Sequence, residues 1–199
     1  MSTSSNASPP NPVASARDVR LRALRDTVEN DPEVPSLIRT YLGRGAKLDD
    51  IRLDRRGRWW HEHGPVENER VARLFAKSLR RTERGTWLLE VAPYTYPVTV
   101  EGCGWFIDRW PLAGDPARCR LTDGSEAELA QDAVWTDGDV FFGARLEGGR
   151  WARFVGPAHA RLLESVQMVG EAFEAHAGGA RLRVQLDPAL GVFGDPPVG

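Results

Sequence analysis

The stretch from Ile51 to Glu101 constrains the fold more than any other part of the chain, reading strand, turn, strand, helix, strand, strand. Ile51–Leu53 and Arg58–His61 flank Asp54-Arg55-Arg56-Gly57. A four-residue turn with Asp first and Gly last suits a type I hairpin. Gly64-Pro65 closes it. From about Glu67, the residues Val71, Leu74, Phe75, Ser78 and Leu79 recur at helical spacing and define one apolar face. Glu67 and Glu69 in the first turn, with Arg80 and Arg81 in the last, would both favour the helix macrodipole. After Glu83-Arg84-Gly85, the segments Trp87–Val91, Val98–Val100 and Trp105–Trp110 are rich in β-branched and aromatic residues, as strands are.

The flanks are plainer. Residues 1–14 are Ser-, Asn- and Pro-rich and nearly devoid of apolar side chains, which predicts a disordered tail. Residues 15–50 read as a helical segment. One helix is expected over Ser15–Glu29, stopped by Asn30-Asp31-Pro32, and a second over Ser36–Leu42, with Ser36 as cap and Gly43 as stop. The first unit then covers 51–112 and a second 113–190, separated by the loop Pro111–Pro116. In the second unit, strands are expected at Cys119–Thr122, Ala127–Leu129, Ala133–Trp135, Val140–Arg145, Arg150–Val155 and Arg181–Leu186. Their turns are Asp123-Gly124, Thr136-Asp137-Gly138-Asp139 and Glu147-Gly148-Gly149. A helix is expected from Pro157 to about Ala175, with Leu162, Val166, Val169 and Phe173 on one face. Residues 191–199 read as a loose tail. Hairpin, helix and strand thus follow one another twice, and Gly57-Arg58-Trp59 recurs as Gly149-Arg150-Trp151, which points to internal duplication.

At 199 residues with 41% hydrophobic and 27% charged, the chain can bury a core without disulfides. No apolar run approaches the ~20 residues that span a bilayer. The start has no basic region followed by an apolar one, and Cys103 and Cys119 are few. The expectation is a cytoplasmic protein with reduced thiols.

The net charge of −2 conceals an asymmetry: residues 52–84 hold ten basic and five acidic side chains, while 85–199 hold nine and sixteen. Arg70, Arg73, Lys77 and Arg80 share one helical edge, and Arg52, Arg56 and Arg58 lie in the neighbouring hairpin. Guanidinium forks match phosphate oxygens, and Trp59 or Trp60 offers an aromatic face, so a small anion with a ring is the ligand this set would take. The plainer reading of the stripe is a solvated helix face. The candidate ligand-binding residues are Arg52, Arg58, Trp60, His61, Arg70, Arg73 and Lys77. His61 and His63, at i and i+2, are weak metal candidates because no third ligand clusters with them. No P-loop, dinucleotide fingerprint, nucleophile elbow or kinase signature is present. No cofactor, membrane or nucleic-acid partner is implied.

The residues Ile51-Arg52-Leu53, Gly57-Arg58-Trp59, Gly64-Pro65-Val66, Leu74-Phe75-Ala76, Leu79-Arg80-Arg81, Trp87-Leu88-Leu89, Pro93 and Val98–Glu101 resemble a bacterial family of unknown function, number 1285. The resemblance covers about a quarter of the chain well, the rest loosely, and rests on core and turn residues. It implies a duplicated α+β protein whose C-terminal unit is pleckstrin-homology-like. It also implies a pocket between the units for a small, nucleotide-like ligand, and a signalling role. The expected fold is therefore α+β: two similar hairpin–helix–strand units forming antiparallel sheets with packed helices. The expected function is non-enzymatic binding of a small anion between them. An enzyme acting on a phosphorylated substrate in that cleft and a protein-interaction module are the alternatives.

Overall fold

The computed structural model describes residues 15–112, 118–137, 141–177 and 179–186, with residues 131–133 and 180 described by backbone alone. The tails expected over 1–14 and 191–199, residues 113–116 of the expected loop, 138–139 of the expected turn and Val140 at the start of the strand expected after it lie outside the described residues.

Two helices, α1 (Ala16–Glu29) and α2 (Ser36–Gly43), precede a hairpin of β1 (Ile51–Leu53) and β2 (Trp59–His61), extended by β3 (Gly64–Pro65). Helix α3 (Glu69–Lys77) leads into the meander β4 (Leu79–Arg81), β5 (Trp87–Val91) and β6 (Tyr94–Pro97). Strand β7 (Thr99–Val100) then returns to pair in parallel with β1. Next come β8 (Trp105–Arg109), β9 (Arg118–Leu121), β10 (Glu126–Thr136), β11 (Phe142–Leu146) and β12 (Trp151–Phe154). Helix α4 (Gly156–Ser165) and a second meander, β13 (Val166–Val169), β14 (Ala172–Ala177) and β15 (Ala180–Leu186), complete the chain.

The fold is α+β. Strands β8, β9, β10, β11 and β12 close into a five-stranded barrel, because β11 pairs with both β12 and β10. The second meander joins this barrel through a parallel pairing of β15 with β10, so β13 is the last strand of the eight-stranded sheet. The other strands form a four-stranded and a three-stranded sheet. Strand pairings are therefore mixed rather than purely antiparallel, with β1–β7, β8–β12 and β10–β15 parallel.

Three apolar clusters hold these parts. Ile107, Leu121, Val134, Leu146, Phe154 and Leu162 belong to the barrel core. Leu53, Trp59, Leu79, Trp87, Val98 and Phe106 unite the first hairpin, the first meander and β8. Leu24, Val28, Val34, Leu42 and Leu48 seat α1 and α2, with Leu88 beneath them. Strand β8 is the shared wall: Phe106 faces the second cluster and Ile107 the first, as the alternation of a strand requires. Gly104 just before it is buried, and a Cβ there would overlap the Trp87 ring. Gly57, at φ +78°, lets the first turn close onto Phe106, whose Cγ would sit 2.9 Å from a Cβ at that position.

Several sequence expectations are corrected. The helix expected to run to Ala175 stops at Ser165, whose hydroxyl donates to the Leu162 carbonyl at 2.7 Å. The rest is a hairpin around Gly170, at φ +64°. Val166 and Val169 favour strand, and the apparent helical stripe also satisfies a period of two between Val166 and Met168. Arg80 and Arg81 are in β4, not in the helix, because α3 caps at Ser78 and Leu79 pairs with Leu89. Leu74 is exposed rather than on the packed face; Val71, Ala72, Phe75 and Ala76 are the half-buried residues of α3. His63 lies in the β2–β3 turn, so it does not share a strand face with His61. Ala127–Leu129 and Ala133–Trp135 are parts of one strand, with a register shift between Leu129 and Val134. The second helix begins at Ser36, which is inside it rather than its cap. Hairpin, helix and meander do occur in the same order twice, but the first set splits into two sheets and the second lies in one.

Candidate functional site

Helix α1 is tethered to the hairpin by charge. Ser15 and Asp18 form a capping box at its start, and those hydrogen bonds to Ser15 hold the Asp18 carboxyl below its usual range. One turn on, Arg17 bonds Glu62, and Arg20 donates to the buried Asp50 at 2.8 Å. Glu62 takes a positive φ of 53° in the β2–β3 turn and accepts the Asp50 amide at 3.0 Å. That amide, aided by Arg17, keeps the Glu62 carboxyl low. Two guanidiniums and two carboxylates thus neutralise each other.

The next turns of α1 are different. Arg17, Leu21 and Arg25 recur every four residues, as do Asp18 and Arg22, and this face meets Lys47 and Leu48 of the loop ahead of β1. A groove of about 500 Å³ lies between them. The Arg25 guanidinium donates to the carbonyls of Leu42 at 2.9 Å and Ala46 at 2.6 Å. These carbonyls, at and just beyond the C-terminal end of α2, fix its direction and offset part of its charge, and no carboxylate pairs with it among the described residues. Arg22 and Lys47 are exposed and make no ion pair among the described residues. Asp18, turned back to Ser15, is the acidic side chain lining the groove. A fixed guanidinium, two exposed cations, of which Arg22 shares the field of Asp18, and an apolar floor of Leu21 and Leu48 form a concave recess of net positive charge. Arg22, Arg25 and Lys47 are absent from the candidate set that the sequence offers. The signal for the groove was the i, i+4, i+8 spacing of Arg17, Leu21 and Arg25, with Arg22 beside it and Lys47 one of only two lysines in the chain.

The residues singled out from sequence do not converge on one place. Arg52 and Trp60 are cross-strand partners. Arg52 lies over Trp60 with its guanidinium carbon 4.5 Å from the ring centroid, and pairs with Glu101 at 3.1 Å. The indole N–H of Trp60 donates to Asp54 at 2.9 Å. His61 lies in a separate groove of about 360 Å³ with Ile51, Val66, Val71 and Phe75. Arg70, Arg73 and Lys77 are exposed on α3 and make no ion pair among the described residues. Arg73 reaches the second unit, its Cδ 3.9 Å from where a Cβ of Gly124 would stand. Arg58 is exposed where the chain enters β2, its amide donating to Asp54 at 2.9 Å. Arg80 pairs with Glu90 at 2.7 Å and Glu33 at 3.6 Å.

Among the described residues, no three His, Cys, Asp or Glu side chains converge to hold a metal ion. Cys103 and Cys119 are buried thiols and form no disulfide. Burial pushes the Cys119 thiol up to about 12. Among the described residues, no helix is long and apolar enough to cross a membrane.

The fold and site together define an α+β protein with a closed five-stranded barrel and a basic groove on its N-terminal helices. No family model and no curated protein matches the sequence. Among solved structures, a DUF1285 family protein from Silicibacter pomeroyi is similar, at 18% identity and a TM-score of 0.52. The likeness covers 72% of this chain and 84% of that one. A DUF1285 family protein from Shewanella baltica is also similar at 18% identity, with a TM-score of 0.43 over 57% of this chain and 88% of that one. The first likeness shows the fold, and the resemblance carried by Ile51–Glu101 is met at that level.

Proposed function

We propose that this is a non-enzymatic, cytoplasmic member of the DUF1285 family that binds a small phosphate-bearing anion, with a role in signalling. The ligand sits in the groove between α1 and Lys47. The observation that carries this reading is Arg25: two backbone carbonyls hold its guanidinium in place with no carboxylate to cancel its charge, and exposed Arg22 and Lys47 stand beside it. Charge-assisted bonds from such a preset cluster are about twice as strong as neutral ones. The groove is also wide enough for a nucleotide-sized molecule, whose ring would lie against Leu21 and Leu48.

A second location for the same function has its own support. Arg73 stands beside the Asp123-Gly124 turn, where the first unit meets the second, with Arg70 and Lys77 on the same helix. That placement agrees with the inter-unit ligand implied by the family resemblance. The groove, being concave, is the stronger cradle. The repeated order of hairpin, helix and meander supports descent by internal duplication, with the second unit the pleckstrin-like one. Thermal-shift assays with pyrophosphate and ADP test the function: binding raises Tm with the logarithm of ligand concentration above Kd, and no shift with either anion contradicts it. Hydrolysis of ADP by the protein would contradict the non-enzymatic reading.

A further inference from the structure

The second meander has two unlike faces. On one, cross-strand neighbours are Val166, Ala175 and Leu182, then Met168, Phe173 and Val184. The first trio joins the barrel core. The second continues the same surface outward, where Met168 is 72% exposed and Phe173 54%, with Leu186 at 67% beyond them. The other face carries Gln167, Glu174, His176 and Arg183 and is polar, as a solvated face should be.

This apolar strip ends at β13, which among the described residues pairs with β14 alone and so leaves one edge of the eight-stranded sheet open. Val169 and Ala172 close the two-residue turn, so the backbone groups of Val169 and Gln167 face β14. Those of Met168 face the open edge. Natural edges are guarded by lysine, proline, bulges or a covering element. Val166-Gln167-Met168-Val169 has no charge and no proline, its pairing with β14 is unbroken, and Met168 and Val169 are exposed.

We propose that this edge is the interface of a homodimer, with β13 pairing antiparallel to β13 of a second copy. The strand complements itself. With the two-fold axis at Gln167, Val166 of each copy stands opposite Met168 of the other, and Gln167 stands opposite its own copy. The apolar strip then runs on unbroken from Val184 through Phe173 and Met168 into the second copy. No charge meets a like charge across the new pair, because β13 carries none. The amide of each Met168 donates to the Val166 carbonyl of the other copy, in the manner of a strand added to a sheet, while the Val166 amide stays with the Leu163 carbonyl of its own chain.

The full chain, measured by sedimentation velocity across the micromolar range, is expected to reach twice its monomer mass of 22.1 kDa. Gln167→Lys places two cations at the axis and Met168→Lys breaks the apolar ladder. Both sites are solvent-exposed in the monomer, so each variant should keep its fold by circular dichroism and lose the dimer. A wild-type chain that stays monomeric overturns the proposal, including where residues 187–199 of the same chain cover the edge. A dimer that survives both substitutions overturns it equally, since its interface would lie elsewhere.

Discussion

Arg52 covers the face of Trp60, and Asp54 takes the ring's N–H, so this tryptophan is saturated by its own hairpin. A base stacking on that same face would have to displace the Arg52 guanidinium. Trp60→Ala is therefore expected to lower stability by about 1–2 kcal/mol, through the lost cation–π contact and hydrogen bond, while leaving pyrophosphate affinity unchanged. Urea unfolding alongside calorimetric titration checks both halves of this expectation.

Asp31 ties the α1–α2 turn to the β4–β5 turn. Its Oδ2 accepts from the Thr82 hydroxyl at 2.6 Å and the Thr86 hydroxyl at 2.5 Å, and its Oδ1 accepts from the Glu33 amide at 2.9 Å. Burial alone would raise the carboxyl, but these donors outweigh it and hold it below its ordinary value. A lowered folded pKa contributes stability above the unfolded value, and that stability is lost as pH falls through the folded one. Acid unfolding of the wild type should show this loss. Asp31→Ala should cost about 2–4 kcal/mol at neutral pH and flatten the acid limb, because two buried hydroxyls lose their acceptor.

Gly104 marks where the first unit presses on the barrel. Gly104→Ala drives a methyl into the Trp87 ring and close to Leu79, in the middle of a packed cluster. The expected cost is about 1–3 kcal/mol, read as a lower urea midpoint with an unchanged m value. Wild-type stability in this variant would mean that Trp87 does not hold the position described.

Cys119 is buried between β9 and β10, and its thiol is pushed up to about 12. Thiolate is the reactive form, so the native protein at pH 8 should resist alkylation there and become fully labelled in guanidinium. Peptide mass mapping of native and denatured samples gives the answer.

Much of the first unit was legible because its signals are local. The Asp54–Gly57 turn, the β1–β2 hairpin and the end of α1 at Asn30 depend on residues near in sequence. Where tertiary pairing decides, local reading failed. Leu79 sits at helical spacing from Val71, yet its pairing with Leu89 makes it strand. Val166–Phe173 satisfies a helical stripe until Gly170 turns the chain. Barrel closure depends on β10 pairing with β9, β11 and β15 together, which no window of sequence displays. The groove escaped notice for a related reason. Arg25 matters through the carbonyls of Leu42 and Ala46, 17 and 21 residues away, and Lys47 joins it through the same packing.

Isothermal titration of pyrophosphate into wild type, Lys47→Glu and Arg73→Glu tests the central claim most directly. Lys47 is exposed, so charge reversal there spares the fold. The groove account predicts that Lys47→Glu weakens binding about tenfold or more, that Arg73→Glu leaves it within about twofold, and that added salt weakens the wild type. Unchanged affinity in Lys47→Glu together with loss in Arg73→Glu would place the ligand on α3 instead. No heat of binding to the wild type would contradict anion binding altogether.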